Sequence, residues 1–207
     1  MFDLHAWLVA LTALLFAGAL TWLVSVAQRN VTIVDSLWPV LFILAALTYA
    51  TSVPSRGPRT ALVIALVSIW GLRLGGYLTW RNHGKPEDHR YQAIRARNEP
   101  NFAFKSLYLI FALQAVLAAV ISVPLLGAIN STAPLGPLEW AGVALWCIGF
   151  AFEAGAAHSP RQGRSVAAGD LVFTEHLQEF QMAEFTVAGL GQPGVEGVEH
   201  AGEFEGA

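Results

Sequence analysis

Arg73, Tyr77 and Arg81 recur every four residues in "WGLRLGGYLTWR", a spacing that gathers three polar side chains where the surrounding residues are apolar. At about 100° per residue they fall within roughly 80° of one another on a helix and share one face. Within an apolar span such a face must look into the protein or a wet cavity. Immediately downstream, "NHGKPEDHRYQAIRARNEP" adds Lys85, Glu87, Asp88, Arg90, Tyr91 and Arg95. One reading of this stretch is a polyanion site in which Arg81, Lys85, Arg90 and Arg95 receive the phosphates of a nucleotide. The plainer reading is a topology signal followed by a short helix from Glu87 to about Arg97. Its acids then sit at the positive end of the helix dipole and Arg95 and Arg97 at the negative end. His83 and His89 flank the same acids at a spacing that fits no common ligand pattern, so no metal is expected. No Walker loop or dinucleotide fingerprint is present, which argues against a soluble-type nucleotide fold, and no nucleic-acid partner is expected.

The elements that must position these residues follow from composition. Of 207 residues, 55% are hydrophobic and 13% charged, about half the charged share of a soluble domain. The apolar runs are continuous rather than alternating, so the expectation is an all-α polytopic membrane protein and not a barrel. About five spans are predicted: 6 to 27, 37 to 53, 61 to 80, 106 to 129 and 136 to 157. With the N-terminus outside, the cytoplasmic segments carry nine Lys and Arg residues against Arg56 and Arg59 outside, while Arg73 lies within a span. Arg73 then sits roughly 12 Å into the bilayer, measured from Arg81 at about 1.5 Å per residue. A charge at that depth marks either a ligand site or a buried pair, for which Glu153 on the fifth span is the expected partner. Gly71 and Gly75 project from the side nearly opposite Arg73 and form a GxxxG pattern for close helix approach. In "VDSLWP", Asp35 or Ser36 reads as a helix cap and Pro39 as a first-turn proline, with a functional carboxylate the alternative for Asp35. Tyr91 and Ile94 share a face that suits a helix lying at the membrane surface. Trp7, Trp38, Trp80 and Trp140 fall at predicted span ends, and the lone Cys147 lies in an apolar run.

Residues 1–157 thus read as a transmembrane helical domain and 158–207 as an acidic tail. Beyond Arg164 there is no Lys or Arg but eight acids, in a Gly- and Glu-rich sequence expected to be largely disordered apart from one short helix in "GDLVFTEHLQEFQMAEF". His158, His176 and His200 are scattered through it without metal-site spacing.

The blocks "VDSLWP", "WGLRLGGYLTWRNHGKPEDHRY", "FALQAVLAAVISVPL" and "GFAFEA" occur in an order that resembles the uncharacterised bacterial membrane branch (domain of unknown function 1295) of the steroid 5-alpha-reductase superfamily. The resemblance covers about residues 30 to 154. It implies a protein of the bacterial inner membrane that uses NADPH to reduce a carbon-carbon double bond conjugated to a carbonyl in a lipid-like substrate; membrane lipid methyltransferases are more distant relatives. By resemblance Tyr77 and Glu87 would be catalytic, with Tyr77 the donor to the enolate oxygen. Arg73, Arg81, Asp88, Arg90 and Tyr91 would bind the cofactor. The pattern stops after "GFAFEA": the family's Arg-His-Pro-Asn-Tyr type motif and later spans do not follow. A frame shift or truncation after about residue 154 is therefore expected, and with it loss of reductase activity in this chain. A non-enzymatic membrane protein with a structural Arg73/Glu153 pair is the other reading, and the oligomeric state is left open.

Overall fold

The structure, a computed structural model, describes residues 2–54 and 56–157. The acidic tail and its histidines lie outside the described residues. Two compact units are distinguished, Met1–Ala144 and Leu145–Ala207, and each is described by itself.

Among the described residues there are α1 (Leu4–Gln28), α2 (Ile33–Ser52), α3 (Pro58–Asn82), α4 (His89–Asn98), α5 (Phe102–Ser106), α6 (Leu113–Ile121), α7 (Val123–Ile129) and α8 (Pro137–Ala157). A π-helical turn, Leu107–Ala112, joins α5 to α6. Among the described residues five stretches are long and apolar enough to cross a membrane: α1, α2, α3, Phe102–Ile121 and Pro137–Gly155. They lie where the hydropathy places them, and the chain is an all-α integral membrane protein. α2 is longer than its apolar run suggests, because it starts at Ile33 and takes in the polar Asp35 and Ser36. The fourth span is interrupted at Ser122, just before Val123 and Pro124, and continues as α7. Proline at that point removes a backbone donor from the ladder.

α2 is the centre of the first unit and packs against α1, α3, α6 and α7. Its inward residues, among them Val34, Leu41, Ala45 and Tyr49, are fully or almost fully buried together with Leu14, Phe111 and Ala115. Tyr49 and Ser122 place their hydroxyls 2.8 Å apart in this interior, and the Trp7 indole donates to the Ala119 carbonyl at 3.0 Å. At the end of the bundle holding the α2–α3 connection, Thr60 donates to the Ile129 carbonyl at 2.9 Å and Arg59 pairs with Glu139 at 2.6 Å.

The glycine face of α3 does turn toward α2. A Cβ at Gly71 would stand 2.8 Å from the Ile43 side chain and 3.0 Å from the Pro39 carbonyl, whereas at Gly75 its nearest neighbour would be Pro39 Cγ at 3.4 Å. Pro39 is the close-approach point, and it lies inside α2 rather than in its first turn, since the helix begins six residues earlier. The two glycines should therefore respond with opposite signs. Gly75→Ala gains helix propensity of up to about 1 kcal/mol in ordinary van der Waals contact. Gly71→Ala has the same gain offset by overpacking of about 1–3 kcal/mol. Thermal unfolding in detergent should show Gly75→Ala at or above the parent midpoint and Gly71→Ala below it.

Candidate functional site

The polar residues between the end of α3 and α4 are folded back onto the short link between α1 and α2. α1 ends at Arg29, whose left-handed φ of 52° stops the helix and sends Asn30 to Thr32 across the bundle end. Three side-chain hydrogen bonds tie the two connections together. Glu87 Oε1 accepts the Val31 amide proton at 2.9 Å, Thr32 Oγ1 accepts the Asp88 amide proton at 2.9 Å, and the Tyr91 hydroxyl donates to Asp35 Oδ1 at 2.6 Å.

Each carboxylate also holds an arginine. Arg95 forms a fork on Glu87, with Nε 2.9 Å from Oε2 and Nη2 2.7 Å from Oε1. Arg90 forms a second fork on Asp88 at 2.9 and 3.0 Å and reaches Asp35 Oδ2 at 3.5 Å. Arg95 lies over the Phe102 ring, 4.4 Å from its centroid, which links the cluster to the start of the fourth span. Bidentate pairs of this kind fix geometry as well as charge. Three carboxylates, Asp35, Asp88 and Glu87, are thus held by two guanidinium groups, Arg90 and Arg95.

Several expectations need correction. The helix starts at His89 and not at Glu87; Asp88 is its cap, accepting the Arg90 amide proton at 3.0 Å, and Glu87 lies before the helix with its carboxylate turned to α1–α2. Asp35 is not a cap, because α2 begins two residues before it and its carboxylate is taken by Tyr91 and Arg90. Tyr91 and Ile94 do not face a membrane surface: both pack against the protein's own apolar core. Arg90 and Arg95, expected as phosphate ligands, are each held by a carboxylate.

Arg73, Tyr77 and Arg81 are half-buried along α3. The Arg81 guanidinium lies 5.9 Å from the centre of the Tyr77 ring and its Nε donates to Asn82 Oδ1 at 3.3 Å. Arg73 belongs to the first unit and Glu153 to the second, so their pairing is not described. Thr32 and the Val31 amide were not anticipated as part of this site. Glu87 and Arg95 are eight residues apart and Glu87 and Val31 fifty-six, separations to which helical periodicity is blind; a polar Asn-Val-Thr link between two spans was the one available signal.

The charge environment follows from these contacts. Burial pushes the Glu87 carboxyl up, but the hydrogen bonds from Arg95 and the Val31 amide outweigh it and hold the group below the ordinary 4.5. Asp88 is held below 3.8 in the same way, burial being overcome by Arg90. Burial, then the Asp35 carboxylate, lifts Tyr91 well above the tyrosine range, so it remains a donor.

A comparison with protein families matches residues 21–162 to a protein family of unknown function, DUF1295. The chain belongs to this family. It is a steroid 5-alpha-reductase-like family, and the match includes every residue of the site just described. No curated protein and no solved structure matches the chain.

Two tests address the site's construction. Because the folded Glu87 and Asp88 carboxyls titrate below their unfolded values, their stabilisation is complete above about pH 5 and is lost as pH falls through the folded values. The unfolding midpoint should hold level from about pH 7 to 5 and drop below about pH 4.5, and Glu87→Gln should both lower it at pH 7 and flatten that drop. For the second contact, Tyr91→Phe should cost about 1–3 kcal/mol by leaving a buried acceptor unpaired. A double-mutant cycle with Asp35→Asn should give a coupling of about 1 kcal/mol, and strict additivity would contradict the contact.

Proposed function

We propose that this is a membrane-embedded NADPH-dependent reductase-like protein acting on a lipid- or steroid-like enone, with the end of α3, the 83–88 loop and α4 forming the cofactor-side lip. Family membership supports the reading, and one observation carries it. Beside Arg81, the Nδ2 donor of Asn82 is buried without a hydrogen-bond partner among the described residues. A buried donor beside a guanidinium, at the mouth of apolar spans, suits a ligand rich in acceptor oxygens.

In this reading Arg73 and Arg81 hold negative charge, Lys85 adds a cation at the rim, and Tyr77 donates to the substrate carbonyl oxygen as enolate character develops. NADPH, when bound, supplies the hydride. Asp88, Arg90 and Tyr91 keep α4 in place beside the mouth. Glu87 acts through Arg95 as a positioning residue, since a direct catalytic duty would require it to release that arginine. The positive-inside rule turns this basic end toward the cytoplasm, with the N-terminus outside. The reading concerns binding and orientation by the described residues; the family's further cofactor motif is not found after "GFAFEA" in this sequence. A purely structural role is favoured by one fact alone, that Glu87, Asp88, Arg90 and Arg95 satisfy one another.

Fluorescence titration of the purified protein with NADPH should show saturable binding, weakened at least about tenfold, or about 1.4 kcal/mol, by Arg81→Ala. Absence of saturation, or an unchanged affinity in a variant with the parent's unfolding midpoint, would overturn the reading.

A further inference from the structure

The same ion pairs that organise the site determine which cations it leaves over. Glu87 holds Arg95, Asp88 and Asp35 hold Arg90, and Lys105 donates to the Asn98 carbonyl at 2.9 Å. Arg29, Lys85 and Arg97 are exposed and enter no ion pair among the described residues, and Glu99 is the exposed acid at that end. At the opposite end of the first unit Arg56 alone is comparable, because Arg59 is paired with Glu139.

The level of these three cations along the spans is set by the chain. Arg29 terminates α1, Lys85 lies three residues past α3, and Arg97 is in the last turn of α4. The bonds from Glu87 and Asp88 to the α1–α2 link and from Tyr91 to Asp35 in the first turn of α2 keep the 83–98 segment against the ends of the spanning helices. α4 turns Tyr91 and Ile94 inward and leaves His89, Gln92, Ala93, Ala96 and Arg97 outward, a face too polar to enter hydrocarbon. Close to it in sequence, Trp80, Phe104 and Tyr108 are mostly exposed on spanning helices. Cations at the ends of spans, with exposed aromatic rings on those spans, are what a headgroup layer accommodates.

We propose that Arg29, Lys85 and Arg97 form a surface for anionic lipid headgroups at this end of the bundle. The inner carboxylates are engaged within the protein, Glu87 with Arg95, and Asp88 and Asp35 with Arg90. The inference stands apart from the reductase reading and concerns a different set of residues, Lys85 being shared at the rim.

The test uses the full chain in a neutral detergent, following the thermal midpoint as lipid is titrated. Phosphatidylglycerol should stabilise with an apparent affinity at least about tenfold above phosphatidylcholine, and the preference should fall toward unity in the combined R29Q/K85Q/R97Q variant. Arg56→Gln should retain it. Should the triple variant fail to fold, each single variant should lose part of the preference. Equal responses to the two lipids, or a preference surviving all three substitutions, would overturn the proposal. So would full reproduction of the effect by inorganic phosphate, which would mark a free-anion site instead.

Discussion

The Glu87 carboxylate, accepting one backbone proton from Val31 and a two-pronged guanidinium from Arg95, is the contact on which the basic end of this molecule depends. A chain leaving a bilayer has to satisfy its backbone groups without a helix to do so, and water is scarce beside the protein. Here the α1–α2 link and the α3–α4 loop meet that demand for each other. Glu87 serves the link, Thr32 serves the loop, and Tyr91 closes the circuit on Asp35 inside the first turn of α2. The result is a polar lip pinned to apolar helices at three points.

That arrangement explains why acids and bases alternate so densely between residues 81 and 97. Paired charge lets the segment lie against spanning helices at a small desolvation cost, whereas an unpaired arginine in the same place would be expensive. It also divides the cations by duty. Arg90 and Arg95 are held on Asp88 and Glu87, while Arg73, Tyr77 and Arg81 lie half-buried along α3. Close packing of α2 on α3 at Pro39, Gly71 and Gly75 keeps that face in register with Asp35.

Much of the fold was legible in the amino-acid sequence, because hydrocarbon thickness and apolar run length are nearly the same information. The glycine face of α3 was legible for a related reason: Gly71 and Gly75 recur at helical spacing. The start of α2 was not, since Asp35 and Ser36 interrupt the apolar run, and the partners of Asp35, Tyr91 and Arg90, lie far off in sequence. For the same cause Asp35 read as a cap when it is a hub. Arg73, Tyr77 and Arg81 could be grouped from periodicity alone, but the pairing of Glu87 with Val31 joins residues that no local pattern connects. Tyr91 and Ile94 were correctly placed on one face, and only the neighbour that face meets was missed, because a surface helix and a packed helix share one amphipathic signature.

The central claim is that two loops stabilise one another through side-chain bonds to specific backbone amides. Hydrogen exchange at the Val31 and Asp88 amides of the detergent-solubilised protein tests it most directly. Both should exchange as slowly as amides in the interior of α2, although they lie outside or at the margin of helices. Exchange at the rate of an open, solvated loop at either position would contradict the account.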